Sequence, residues 1–131
     1  EHVVFDGDAG GIAVSLIATA AGGWRLTLGA STVEVTQAHA ADADVVLLAR
    51  WEPGRLRLRV DDAAAEAART AGTWTRAPID ADLGRRHDSA AGYLAGVLGP
   101  VVLFGAPLAD AGVEVLRRLT RPPRWGESAP A

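Results

Sequence analysis

Short stretches in which apolar and polar residues alternate run through most of the chain. The clearest is Arg55–Val60, where two leucines and a valine alternate with three arginines. Because successive side chains of a β-strand point to opposite faces, this pattern predicts a strand with one buried and one solvent face. The segments Trp24–Leu28 and Thr32–Thr36 follow the same rule, which predicts a mainly β protein.

Turn residues separate these alternating runs and set the expected strand boundaries. Asp6-Gly7-Asp8 is predicted to end the first strand as a turn, and the most apolar run, Val45–Trp51, is predicted to be a central strand. Ala63–Arg69 has a helical composition, but its place after the Asp61-Asp62 turn favours a hairpin strand. The predicted strands are Val3–Phe5, Ile12–Ile17, Trp24–Leu28, Thr32–Thr36, Val45–Trp51, Arg55–Val60, Ala63–Arg69, Ile79–Leu83, Tyr93–Leu98 and Val101–Phe104.

One helix is predicted near the C-terminus, over Pro107–Leu119. Its apolar residues Leu108, Val115, Leu116 and Leu119 are expected along one side, and two arginines near its end suit the helix dipole. Residues 120–131 are rich in proline and polar residues and are interpreted as a tail or linker. The predicted domain therefore covers residues 1–119, with its buried residues expected to include Leu47, Trp51, Leu58, Val60, Leu103 and Leu116.

Length and composition narrow the classes of function. With 131 residues one domain is expected, and the net charge of -3 gives no general attraction to nucleic acid. The absence of cysteine excludes disulfides, thiolate metal sites and a cysteine nucleophile. No apolar run is long enough to cross a membrane, so no membrane insertion is expected.

Several short motifs follow one another in a characteristic order. They are Val4-Phe5-Asp6-Gly7, Leu56-Arg57-Leu58-Arg59-Val60-Asp61, Asp82-Leu83-Gly84-Arg85, Gly92–Phe104 and Pro107–Val115. In this order they resemble the concanavalin A-like lectin and glucanase superfamily, and within it the laminin-G-type (LamG-like) branch. Asp62 stands where that family usually has glycine, and Ala109 stands where it has a capping serine. The resemblance implies an all-β, two-sheet antiparallel jelly-roll sandwich with one short C-terminal helix.

The superfamily includes glucanases, but their catalytic pattern is missing here. A retaining glycosidase needs two carboxyl groups about 5–5.5 Å apart. No two glutamates of this chain lie close together in the sequence, and His87-Asp88-Ser89 cannot form a triad because adjacent side chains diverge. We therefore expect no enzyme, and a degenerate glucanase-like domain is only a minor alternative.

Closely spaced aspartates are the candidate metal ligands. The pairs considered are Asp6 with Asp8, Asp42 with Asp44, and Asp80 with Asp82, because calcium takes six to eight oxygen ligands and loop carboxylates supply them. Calcium is the candidate ion, with no other cofactor expected. The competing interpretation is that each aspartate only caps its own turn.

Two aromatic residues and one row of arginines are the candidate ligand contacts. Trp74 lies between polar neighbours and is the first choice for an exposed contact, with Tyr93 as the second. Arg55, Arg57 and Arg59 share the outer face of one strand, where they either pair with Glu34, Glu66 or loop aspartates or hold an anionic partner.

These observations lead to two functional hypotheses. The first is a non-catalytic recognition module that binds a glycan or a protein surface, within a larger extracellular or particle-surface assembly. The second is a structural module that packs against neighbouring subunits of a virion, phage tail or surface fibre and takes no small ligand. A groove with an aromatic and polar lining favours the first, and a broad exposed apolar patch favours the second.

Overall fold

The computed structural model describes residues 1–37, 39–40, 43–52, 54–68, 79–87, 91–99, 101–102, 104 and 108–120. The chain forms two compact units, Glu1–Gly96 and Val97–Ala131. The described strands lie in the first unit and the described helix in the second. The strands are β1 (His2–Ala9), β2 (Ala13–Ala18), β3 (Gly23–Leu28), β4 (Ser31–Thr36), β5 (Leu47–Glu52), β6 (Arg55–Val60), β7 (Ala63–Ala68) and β8 (Ile79–Leu83), and the helix is α1 (Asp110–Thr120).

The described strands form two antiparallel sheets. One has five strands in the order β4-β3-β2-β1-β8, and the other has three in the order β5-β6-β7. Within each sheet, consecutive strands pair as hairpins. The chain crosses to the second sheet between β4 and β5, and β8 returns to the first sheet to lie beside β1. That return gives the strand order of one Greek key, whereas a jelly-roll combines two. The two-sheet β architecture is confirmed, and a jelly-roll connection is not.

The core lies between the two sheets, where β6 packs against β3 and β4, and β7 packs against β4. Leu56 and Leu58 of β6 and Leu26 of β3 are almost fully buried, as the alternating pattern of each strand requires. β7 turns only alanines toward this layer, because Ala63, Ala65 and Ala67 pair with the buried residues of β6. Their small side chains let the two sheets approach closely at this side.

A bulge in β1 changes which residues face outward. The pairing with β2 moves from Val3–Ile17 to Phe5–Leu16, so Val4 is the extra residue. Val3 and Ile17 consequently lie on the outer face and are nevertheless buried. Gly92 covers this position: its carbonyl accepts a hydrogen bond of 2.9 Å from the amide of Val3, and an added Cβ would meet the Val3 side chain.

Several predicted elements differ from the structure. Asp6-Gly7-Asp8 is the middle of β1 rather than a turn, because β8 pairs with this part of the strand. Val45–Trp51 was predicted to be central, but β5 is an edge strand, since only β6 pairs with it. Among the described residues, Tyr93–Leu98 and Val101–Phe104 contain no strand. The strand assigned to the alanine-rich run is confirmed as β7.

Some of the residues predicted to be buried are buried in the structure, and others are not. Leu58 and Val60 are completely buried, as expected. Leu47 and Trp51 are half-buried because β5 lies at the edge of its sheet. Leu103 lies outside the described residues.

In the helix, the buried position falls one turn earlier than predicted. Leu116 is only half-buried, and Val113 is the buried residue among the described side chains of α1. Val115 is exposed because it lies two positions after Val113, which places it on the far side of the helix. No described helix is long and apolar enough to span a membrane.

Candidate functional site

A cleft of about 180 Å³ lies at the turn that joins β2 to β3. Its lining residues are Ala18, Thr19, Gly22, Gly23, Trp24 and His39. Five of these residues come from the β2–β3 hairpin, and His39 comes from the segment that follows β4. The cleft therefore forms only after the chain beyond β4 has folded back over the hairpin.

Backbone hydrogen bonds fix the wall formed by the hairpin turn. The amide of Thr19 donates to the carbonyl of Gly23 at 2.8 Å, and the amide of Gly22 donates to the carbonyl of Thr19 at 3.1 Å. The Gly23 amide also donates to Oγ1 of Thr19 at 3.1 Å. Gly22 has a φ of 80°, which a residue with a side chain rarely adopts, so this wall is bare backbone.

Two aromatic rings form the other walls. The centroids of Trp24 and His39 are 6.2 Å apart, and the ring planes meet at 69°. This edge-to-face contact is a favourable geometry for aromatic pairs and fixes the orientation of the imidazole. Trp24 is half-buried and lines the cleft.

Asp61 lies behind the imidazole, with Oδ2 3.8 Å from Nδ1 of His39. The backbone of Asp61 has a φ of 50°, a left-handed conformation that aspartate tolerates better than most residues. Its carboxylate oxygen Oδ1 accepts a hydrogen bond of 2.9 Å from the amide of Val46, and its own amide donates to the carbonyl of Val46 at 2.9 Å. The carboxylate is therefore held in place before any ligand enters.

Two buried polar atoms in the segment after β4 have no hydrogen-bond partner among the described residues. They are Nε2 of His39 and Oε1 of Gln37. The Thr19 hydroxyl accepts from Gly23 but donates to no described residue. A buried polar group without a partner costs about 1–3 kcal/mol.

The three arginines predicted to lie in a row form hydrogen bonds with neighbouring residues of the chain. Arg57 lies directly opposite Glu66 of β7, and the two side chains form a hydrogen-bonded ion pair. Nε of Arg55 donates to Glu52 at 2.6 Å, and Nε of Arg59 donates to the carbonyl of Asp61 at 2.8 Å. The pairing of Arg57 with Glu66 is the cross-strand alternative that the sequence left open.

Four of the candidate metal ligands come together on the ladder between β1 and β8. Asp6 lies opposite Asp82, and Asp8 lies opposite Asp80, so all four share the outer face of the sheet. Among the described residues, however, no group of three or more side chains is arranged to hold a metal ion. Oδ1 of Asp8 instead accepts a hydrogen bond of 2.7 Å from the amide of Gly11.

Arg85, Arg86 and His87, which follow β8, contact the carboxylates of Asp6 and Asp82. The amide of His87 donates to Asp6 at 2.8 Å, and the ring Nδ1 of His87 lies 3.3 Å from Asp82. Arg85 bonds the other oxygen of Asp82 at 3.0 Å, and Arg86 lies 3.7 Å from Asp6. The hydrogen bond to Asp82 is also the main reason why the pKa of Arg85 is raised.

Alternating charges continue from this cluster across the outer face of the five-stranded sheet. Arg86 lies 3.2 Å from Glu1, which lies 3.6 Å from Arg25, and Arg25 in turn pairs with Glu34. These side chains are partly exposed, and such pairs contribute about 0–1 kcal/mol each. Together they fasten the segment after β8 to the sheet.

Of the two aromatic residues predicted to contact a ligand, only Tyr93 lies among the described residues. Tyr93 is described and is 58% exposed, with its carbonyl oxygen 2.9 Å from Nδ1 of His2. It is not among the residues that line the cleft. Trp74 lies outside the described residues, so its expected role stays a prediction.

His39 and Asp61 were not predicted to be site residues. Asp61 was predicted to lie in a turn between two strands. The sequence offers only a weak signal for Asp61, because an aspartate in a tight turn tolerates a left-handed backbone conformation. Nothing in the order of residues indicates that this turn faces the loop after β4.

No family model, curated protein or solved structure matches the chain. The resemblance to laminin-G-type domains therefore stays a prediction.

Proposed function

We propose that the chain is a non-catalytic recognition module that binds a glycan or a protein surface through the cleft between Trp24 and His39. It acts within a larger extracellular or particle-surface assembly. The proposal includes membership of the laminin-G-type branch and the jelly-roll connection, which the motif order favours. Both rest on the sequence motifs alone.

The observation that carries the proposal is a cleft of about 180 Å³ that Trp24 and His39 line together with the bare backbone of the hairpin turn. Binding sites usually combine apolar or aromatic walls with a few polar groups that have a fixed direction. The edge-to-face contact with Trp24 holds the His39 ring in place, and the carboxylate of Asp61 lies 3.8 Å from its Nδ1.

A binding role without catalysis fits the surroundings of the carboxylates. Asp6 and Asp82 lie opposite each other, as the two carboxyl groups of a retaining glycosidase would. Both are already hydrogen-bonded by groups of residues 85–87, and neither lines the cleft. Asp6 and Asp82 therefore hold the segment after β8 against the sheet.

The test is a binding screen of the full chain against a glycan panel and against immobilised glycoproteins, using surface plasmon resonance. We expect at least one glycan or glycoprotein to bind, and we expect His39→Leu to weaken that binding. Tyr93→Ala is the matched control, because Tyr93 is exposed outside the cleft. Binding to none of the panel, or equal loss in both variants, would contradict the proposal.

A second candidate, an assembly module, is favoured by one observation in the unit Val97–Ala131. Val97, Val101, Val102 and Phe104 are all exposed within one short segment of that unit. Clustered exposed apolar residues are typical of protein contacts. Sedimentation velocity tests this candidate: self-association that disappears in a Val102→Asp variant would favour it, and a monomer at all concentrations would count against association between copies of the chain.

A further inference from the structure

We propose that copies of this chain associate head to tail through the outer faces of their two sheets. In this contact the guanidinium of Arg57 in one copy binds the carboxylates of Asp8 and Asp80 in the next copy. The proposal goes beyond recognition through the cleft, because none of these three residues lines it. The partner that it names is a second copy of the chain.

The outer face of the three-stranded sheet carries an excess of positive charge. The leucines and the valine of β6 are buried in the core, so the three arginines of this strand project outward. Arg50 of β5 lies directly opposite Arg57 on the same face. The strands of this face therefore carry four arginines against two glutamates. We call this surface the arginine face, and its charged residues are Arg50, Glu52, Arg55, Arg57, Arg59 and Glu66.

Arg57 lies at the centre of the arginine face and has hydrogen-bonding capacity left. Arg55 and Arg59 lie on either side of it, each about 6.5 Å away along the strand. Nε of Arg57 donates to Glu66, and its other N–H groups donate to no described residue. The Arg57 side chain is 30% exposed. Because a guanidinium has five N–H donors, Arg57 can bind a further carboxylate while it keeps its bond to Glu66.

The outer face of the five-stranded sheet carries the opposite charge where β1 pairs with β8. Residues 85–87 contact Asp6 and Asp82, but no described arginine or histidine contacts Asp8 or Asp80. These two carboxylates therefore lack a counter-charge among the described residues. We call this surface the aspartate face, and it consists of Asp6, Asp8, Asp80 and Asp82.

Asp8 and Asp80 lie directly opposite each other in the ladder between β1 and β8. Like charges in this position, with Cβ atoms about 4.5–5.5 Å apart, repel each other and destabilise the pairing. Two carboxylates are too few for calcium, which takes six to eight oxygen ligands. One guanidinium satisfies both, because its donors form a planar fork that matches carboxylate oxygens.

The same chain carries both faces, and this identifies the partner. The two sheets pack through their inner faces, so the arginine face and the aspartate face point away from each other and cannot meet within one molecule. Between two molecules, the positive face of one copy is complementary to the negative face of the next, which favours association in one register. Because the two contacting faces differ, each added copy leaves one face of each kind open, and the copies continue as a ring or a filament.

The experiment is sedimentation velocity of the full chain over a range of concentrations, at low and at high salt. We expect association at low salt and monomers at high salt, because salt screens ion pairs at an exposed interface. Association through the exposed apolar residues of the unit Val97–Ala131 does not depend on ion pairs and would persist at high salt.

Two charge reversals test the contact itself. Arg57→Glu should lower the association constant at least about tenfold, and Asp8→Arg combined with Asp80→Arg should do the same. A mixture of these two proteins should associate again, because the intact Arg57 of one meets the intact aspartates of the other. This recovery separates a contact between the two faces from a loss caused by damaged folding.

The matched control combines Asp44→Arg with Glu114→Arg. It changes the net charge as much as the aspartate reversal does, but Asp44 lies in the segment before β5 and Glu114 lies in α1, so both are outside the two faces. The control should associate like the original chain. Circular dichroism establishes that each variant is folded, and Asp80→Asn, at an exposed position, replaces the double aspartate variant if that protein is not folded.

Three outcomes would overturn the proposal. A monomer at every concentration and salt would refute it, and binding of that monomer to polyglutamate, lost in Arg57→Glu, would assign the arginine face to another acidic partner. Association that survives both reversals would lie on a different surface. If both reversals abolish association and their mixture stays monomeric, the two faces do not bind each other. Recognition through the cleft is unaffected in each case, since the binding screen tests it separately.

Discussion

Gly7 of β1 lies directly opposite Ala81 of β8, and the two backbones approach so closely that no side chain fits between them. A Cβ added at Gly7 would lie 2.5 Å from Cβ of Ala81 and 2.5 Å from the carbonyl oxygen of Asp80. Both neighbours belong to the paired strand, so they cannot move without disturbing the ladder. Glycine is required here for space rather than for its backbone conformation.

The first prediction follows from this contact. Gly7→Ala should destabilise the protein by about 1–3 kcal/mol, the usual cost of overpacking. Gly112→Ala is the matched control: it lies in α1, nothing surrounds the added methyl group, and it should stabilise by about 0.5–1 kcal/mol. Urea unfolding measures both. Equal effects of the two substitutions would show that β8 does not approach β1 as described.

The second prediction concerns the core between the sheets. Leu58 is completely buried on β6, so Leu58→Ala should cost about 2–5 kcal/mol. Leu48→Ala is the control, because Leu48 is half-buried and lies opposite Arg59 on the outer face. It should cost clearly less. If the urea midpoints fall equally, the assignment of the inner face is wrong.

The third prediction concerns the charges on the outer face of the three-stranded sheet. Arg57 lies between Arg50 and Glu66 on the neighbouring strands. Glu66→Arg would place three arginines in a row and should cost about 1 kcal/mol, with a smaller loss at high salt.

The double variant provides the control for this charge row. When Arg57→Glu is added to Glu66→Arg, the new glutamate lies between two arginines, and stability should return to at least the original level. The comparison uses urea midpoints at low and high salt. A double variant that is less stable than Glu66→Arg alone would refute the cross-strand pairing.

The fourth prediction is a pH dependence. The hydrogen bond from Arg55 is the main reason why the pKa of Glu52 lies below its ordinary value of 4.5. A carboxyl group with a lowered pKa in the folded state stabilises the fold above its unfolded pKa, and this contribution is lost as the pH falls through the folded pKa.

Glu52→Gln should therefore be less stable than the original chain at pH 7, and the difference should disappear in acid. The effect is small because the pair is solvent-exposed. Urea midpoints of both proteins, measured from neutral to acid pH, test it. A difference that grows toward acid pH would have the wrong sign for this pair.

The strands with a strict two-residue period were predictable from sequence because their burial repeats the pattern of residue types. β4 and β6 are the best examples, with every second residue buried. The position of β5 was not predictable, because an apolar run does not indicate whether one or two strands will pair with it. Tyr93–Leu98 also has a strand-like composition, but Gly92 has a φ of 64° and its carbonyl bonds β1.

The cleft could not be predicted from sequence patterns, for a different reason. Trp24, His39 and Asp61 come from three separate parts of the chain, and no spacing between them indicates contact. They meet because the turn after β6 faces the segment after β4. The aspartates of β1 and β8 were noticed as separate pairs, while the sheet register places them opposite each other.

The pairing of β1 with β8 also has a consequence for the order of folding. β1 to β4 are joined by short turns and can form as local hairpins, whereas β8 follows three strands of the other sheet. Contacts between distant segments form slowly because a long loop has to close first. During synthesis, the free edge of β1 is therefore exposed until β8 arrives, and another unfinished chain can pair with it in that interval. Refolding yield should accordingly fall with protein concentration most steeply in variants that delay β8.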